Sequence, residues 1–162
     1  MRSAALAIAC WLNIVLASPA GAGSTTAQFD VTITIQAGCE VTGPSDLDFG
    51  THSFIDSAIT ATTTFSIRCS NGTTGTIALN GGSGTSQSIS TRTMETGANS
   101  INYNLYTAAD YLTIWGDGTT GSTVTHNGTG SAATLTIYGR VPSQTAPTPG
   151  AYSDTVTMTV TF

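Results

Sequence analysis

The sequence predicts an all-β fold: a two-sheet antiparallel sandwich of immunoglobulin type. Three observations predict it. Threonine makes up about a fifth of the chain, which is strand composition. Apolar and polar residues alternate with period two at 29–36 and 152–162. Clusters of Gly, Asn, Ser and Pro cut the rest into short apolar runs, and none sustains a helical period. The length of 162 residues fits one domain, and neither a repeat nor a linker marks a second.

The elements follow in chain order. Residues 1–22 read as a secretory signal peptide, with Arg2 ahead of an apolar core at 6–16 and the small residues Ala20-Gly21-Ala22 at the expected cleavage site. A membrane anchor needs ~20 apolar residues, and Ser18-Pro19 ends the run too early. No other stretch is long enough to cross a bilayer, so no membrane insertion is expected after cleavage. Export removes Cys10 and leaves Cys39 and Cys69 as one pair in an oxidising compartment. A disulfide is expected. It closes a loop of about 30 residues, worth roughly 3 to 4 kcal/mol of chain entropy. A metal site is the weaker alternative, because no His or acidic cluster completes the ligand set.

Phe29, Val31, Ile33 and Ile35 share one parity against Asp30, Thr32, Thr34 and Gln36. Further strands are expected at 47–50, 59–69, 76–80, 101–106 and 133–141, with turns at Asn71-Gly72, 80–84, 116–118, Asn127-Gly128 and 147–150. Residues 81–90 read as a mobile loop. The clearest strand is 152–162, where Val156, Met158, Val160 and Phe162 form the apolar face and Thr155, Thr157, Thr159 and Thr161 the wet one.

Only 8% of residues are charged, and all four basic residues are arginine. Without lysine there is neither Schiff-base chemistry nor a P-loop. The net charge is −5, and −6 once Arg2 leaves with the signal peptide, which argues against a nucleic-acid partner. His52 and His126 lack regularly spaced ligand partners and read as surface residues. Asp46 and Asp48 share a strand face but read as a solvated pair. The loop Trp115-Gly-Asp-Gly118 reads as a plain turn with a partly buried indole. The sequons at Asn71 and Asn127 are expected by chance in so threonine-rich a chain. No nucleophile elbow or HExxH motif appears. Neither an enzyme, a cofactor nor a metal is predicted.

The two ends supply the functional signal. The sequence stops on its strongest strand with nothing after it to cover the free edge, and a spare strand-ready segment lies just before Cys39. A vacant place at one end and a spare strand at the other point to exchange between subunits. Pairing of 29–36 within its own subunit is the alternative.

A set of motifs in register extends this reading. Val-Thr-Ile-Thr-Ile-Gln-Ala-Gly-Cys-Glu-Val (31–41), Leu-Asp-Phe-Gly (47–50), Phe-Ser-Ile-Arg-Cys (65–69) and Ile-Ala-Leu-Asn-Gly-Gly (77–82) come first. Arg92-Thr-Met94, Ile-Asn-Tyr-Asn-Leu-Tyr (101–106), Trp115-Gly116, Ile137-Tyr-Gly-Arg140 and the run at 150–162 follow. Together they resemble the spore coat protein U family, which includes pilin subunits of archaic chaperone-usher pili.

The resemblance implies a sandwich missing its last strand. A periplasmic chaperone would lend a strand during export, and an outer-membrane usher would exchange it for the N-terminal segment of the next subunit. It implies that residues 23–36 are a donor segment, with Phe29, Val31, Ile33 and Ile35 as donor side chains, and that 37–162 form the sandwich. Val156, Met158, Val160 and Phe162 would border the acceptor groove, and Cys39 and Cys69 would bridge the first strand to the second. The expected role is a polymerising subunit of a surface pilus serving adhesion and biofilm formation. A secreted coat protein of the same fold is one alternative. A tip adhesin presenting Tyr111 and Trp115 is another, and the length speaks against it because tip subunits generally carry an extra domain.

Overall fold

A computed structural model describes residues 21–162. The expected signal peptide, Cys10 included, lies outside the described residues except for its last two positions. Among the described residues there are eight strands: β1 (Cys39–Thr42), β2 (Ile59–Cys69), β3 (Thr74–Leu79), β4 (Arg92–Thr96), β5 (Asn99–Tyr106), β6 (Val124–Asn127), β7 (Ala133–Val141) and β8 (Met158–Thr161). Every strand pairing is antiparallel, and no described residue is helical. One sheet runs β1-β2-β7-β5-β4 and the other β6-β3-β8. The fold is the expected all-β antiparallel sandwich.

Parity builds the core. Phe65 and Ile67 of β2, Ile77 and Leu79 of β3, Tyr103 and Leu105 of β5, and Ile137 and Val141 of β7 all bury the same side of their strands, while the alternate Thr, Ser and Arg positions face out. Trp115 joins them at 1% exposure, its indole N–H donating to the Ile77 carbonyl at 3.0 Å. It is a core residue, where the sequence suggested a partly buried turn.

Cys39 and Cys69 stand opposite each other in the β1–β2 register and form the expected disulfide. A Cβ on Gly75 would lie 3.2 Å from both sulfurs, so the bond packs against a bare stretch of β3.

The described residues divide into two units, the chain up to Thr34 and Ile35–Phe162. Residues 21–38 form no strand, and Phe29, Val31 and Ile33 are exposed by 85% or more. Four features depart from the sequence reading. β4 and β6 are strands whose polar composition hid them, and β5 begins two residues before the expected start. Residues 47–50 keep the predicted alternation, with Leu47 and Phe49 turned inward, yet pair with nothing. The last strand covers only Met158–Thr161; in 152–157 a single antiparallel bridge between Ser153 and Glu95 of β4 replaces a continuous ladder, and side chains take the amides of Thr155 and Thr157.

Candidate functional site: an open groove beside β8

Two segments of the sandwich alternate like strands and lack a ladder between them. Residues 46–49 turn Leu47 and Phe49 inward, and 152–158 turn Tyr152, Asp154, Val156 and Met158 inward. A cavity of about 780 Å³ opens between them. Its floor is the core itself, formed by Leu79, Met94, Tyr103, Leu105 and Ile137. Among the described residues β8 pairs with β3 on one side only, which leaves its other backbone edge without a strand partner there along this opening. An edge strand over an accessible apolar floor is a template for one more strand.

Each wall has its own anchor. Gly139 on β7 lets the first wall approach, since a Cβ there would sit 2.8 Å from the Leu47 side chain and 2.9 Å from that of Phe49. The second wall is anchored by Asp154. Its carboxylate accepts from the Tyr103 hydroxyl at 2.6 Å, from the Ser83 amide at 2.7 Å and hydroxyl at 3.1 Å, and from the Thr155 amide at 2.7 Å. Burial works against its charge, but the bonds from Tyr103, Ser83 and Thr155 outweigh it and hold the carboxyl below its ordinary range. Burial first, then the hydrogen bond and charge of Asp154, push the Tyr103 phenol far above its usual value. Gly82, at φ +90°, makes this contact possible, because a Cβ there would overlap the Asp154 carboxylate. The Asn80 side chain accepts from the Thr157 amide at 2.9 Å and continues the anchorage toward β8.

Arg92 lies beneath this wall, fully buried. Its guanidinium donates to the carbonyls of Asn80 at 2.9 Å, Trp115 at 2.9 Å and Leu79 at 3.4 Å, and to Asn104 Oδ1 at 2.6 Å. Burial lowers its pKa, partly offset by Tyr103 and Asp154. The cation thereby ties β3, β4, β5 and the Trp115 loop into one rigid floor.

Of the residues expected to border the groove, Val156 and Met158 line it. Val160 points instead toward the disulfide end, 3.4 Å from the Cβ position of Gly75, and Phe162 lies past β8 with 59% exposure. The expected donor side chains Phe29, Val31, Ile33 and Ile35 are exposed. Asp46 and Asp48 stand on the rim, and Asp48 accepts from the Gly50 amide at 2.7 Å. His52 is exposed and bonds the Phe49 carbonyl at 2.7 Å. His126 departs from the surface expectation, being half-buried with Nε2 enclosed and without a partner among the described residues. Trp115 is too deep to contact anything outside, which removes it from an adhesive surface. Sequence reasoning missed the roles of Tyr103, Asp154 and Arg92. The one available signal was Arg92 itself, an arginine within an otherwise neutral stretch from 69 to 94.

Comparison with known proteins sets this geometry in context. The Spore Coat Protein U domain family matches residues 25–159. Protein U of Myxococcus xanthus is 29% identical over 178 aligned residues, covering 100% of this chain and 98% of that protein. Among solved structures, this chain is similar to one in the crystal structure of the CsuC–CsuE chaperone–tip adhesion subunit pre-assembly complex from archaic chaperone-usher Csu pili of Acinetobacter baumannii. The TM-score is 0.57 and the identity 24%, over 80% of this chain and 40% of that one. At that identity the likeness is one of fold, and this chain spans well under half of the matched one.

Proposed function

This chain belongs to the Spore Coat Protein U domain family, and from that premise we propose that it is a non-catalytic subunit of a chaperone-usher surface pilus, polymerising by donor-strand exchange and serving adhesion and biofilm formation. The open groove between 46–49 and 152–158, floored by core residues and bordered by the unpaired edge of β8, carries the reading. Residues 1–22 are removed on export, and 37–162 fold as the sandwich. Residues 23–36 enter the groove of a neighbouring subunit. A periplasmic chaperone fills the groove first, and an outer-membrane usher directs the exchange.

Parity assigns the roles within the donor. Phe29, Val31, Ile33 and Ile35 enter the neighbour's groove, and the even positions face out. Burying four such side chains at ~1.5 to 3 kcal/mol each gives about 6 to 12 kcal/mol before ordering costs, so assembly proceeds without a nucleotide or other cofactor.

The test compares Ile33→Asp with Thr34→Asp. The first places an unpaired carboxylate in an apolar groove at a cost of several kcal/mol and abolishes polymerisation; the second is tolerated. The readout is the ladder of detergent-resistant multimers in unboiled samples. A ladder that survives Ile33→Asp, or that Thr34→Asp destroys equally, overturns the donor register.

The family's description and the full-length match to Protein U favour a second reading, a secreted coat component of the same fold. Wild-type protein that is exported and folded yet forms no ladder would select it.

A further inference from the structure

We propose that the outer face of the five-stranded sheet carries a binding site for an acidic polysaccharide, built of hexuronic acid units and centred on Tyr111 and Arg140. Its first support is backbone strain. Tyr111 adopts φ +56°, a conformation costly for a residue with a bulky side chain and associated with functional positions. The surrounding loop is fastened to hold it there. The Thr107 amide donates to the Thr113 carbonyl at 3.0 Å and the Tyr111 amide to the Ala108 carbonyl at 3.2 Å. The Asp110 carboxylate accepts from the Leu112 amide at 3.0 Å.

The loop folds the Tyr111 ring back onto the sheet. It stands edge-on to Tyr106 at 5.5 Å and to Tyr138 at 6.5 Å, and these two are cross-strand partners on β5 and β7. The Arg140 guanidinium lies 5.6 Å over the Tyr111 ring. Three aromatic rings and a cation therefore share one outward patch.

The second support is what these groups leave unsatisfied. Among the described residues, Arg68 pairs with Glu40 at 3.2 Å and Arg92 is buried with four acceptors, while the Arg140 side chain makes neither an ion pair nor a hydrogen bond. The hydroxyls of Tyr106, Tyr111 and Tyr138 also bond to no described residue. Alongside, Thr62 stands exposed opposite Tyr138.

This combination matches one ligand chemistry. Ring faces accept the C–H face of a sugar, phenol and threonine hydroxyls match its hydroxyls, and a guanidinium fork takes a carboxylate in two parallel bonds. A neutral sugar leaves the cation unanswered. Nucleic-acid binding rests on a row of cations against successive phosphates, whereas this patch sets a single cation among hydroxyls and aromatic rings. The patch uses outward positions of β5 and β7 and the groove uses inward ones, so the inference stands apart from the fibre reading.

The test is calorimetric titration of the full exported chain, in its native assembled form, with oligogalacturonate and with a neutral oligosaccharide of equal length. Oligogalacturonate is expected to bind at least about tenfold more tightly than the neutral chain, and to lose about tenfold on Arg140→Gln or in high salt. Arg140→Lys, which keeps the charge without the fork, should fall between. An unchanged far-UV spectrum and melting temperature show that the variants are folded. Absence of oligogalacturonate binding by wild type, equal affinity for the neutral chain, or equal binding by Arg140→Gln would each overturn the proposal. None of these readouts depends on the multimer ladder.

Discussion

Burying the Arg92 guanidinium inside a sandwich where only 8% of residues are charged carries a desolvation cost that its four acceptors must offset. Those acceptors are three backbone carbonyls and an amide oxygen that no other described cation reaches. Arg92→Ala takes the guanidinium donors from enclosed carbonyls, leaves Asn104 Oδ1 with only the Leu105 amide, and opens a cavity, so a loss of at least ~3 kcal/mol is expected in urea unfolding. Arg68→Ala removes only an exposed pair with Glu40 and should change stability by less than ~1 kcal/mol. A similar loss in both variants would show that the buried cation carries no special weight. Asp154 gives a pH signature. Its folded-state pKa lies below the unfolded value near 3.8, so its contribution is fully present above that value and is lost as pH falls through the folded pKa. The urea midpoint should therefore drop as pH is lowered below that value, and Asp154→Asn should flatten that limb. The disulfide predicts that the denatured mature chain titrates with no free thiol.

At the level of elements, the two groove walls are strands in pattern that form no continuous ladder, with Ser153 and Glu95 bridging at one point of the second wall. The alternation in 47–50 and 152–157 was legible because burial on one face writes a period of two into the sequence. The absence of a ladder was not legible, because hydrogen bonding is a property of neighbours that an amphipathic pattern does not encode. Asp154 and Asn80 decide it here by capturing the amides of Thr155 and Thr157 with side chains. β4 was hidden for a related reason, since Arg92, Thr93 and Glu95 are polar yet partly or wholly buried. Of the groove, the alternation marked the wall that carries Val156 and Met158; the floor under it required the packing of β5 and β7. Met158 turns into the groove and Thr159 away from it. Met158→Asp should disable the acceptor while leaving residues 29–36 able to enter a wild-type neighbour. Mixed into wild-type expression, it should shorten the multimer ladder by terminating chains, and Thr159→Asp should not. Equal ladders from the two mixtures would remove Met158 from the acceptor wall.

For the whole molecule, a cavity of about 780 Å³ that exposes core side chains on its floor and opens onto an unpaired edge is a liability in solution. Expressed without its chaperone, the mature chain should aggregate or be degraded, and co-expression with a chaperone should restore a soluble complex. A stable folded monomer obtained alone would show that the groove needs no occupant. The disulfide has a mechanical consequence as well. Residues 35–38 lead directly into Cys39, the first residue of the four-residue strand β1, whose ladder to β2 is short enough to unzip under load. Cys39 is also bonded covalently to Cys69 at the far end of β2. A pull applied through residue 38 therefore bypasses the β1 ladder and enters the eleven-residue strand β2, which is paired along nine positions with β7. In a force-extension measurement the intact chain should resist until β2 shears from β7, and reduction should add an earlier, weaker event as β1 peels away. The bond acts as a shunt for tension, protecting the shortest strand at the point where stress arrives.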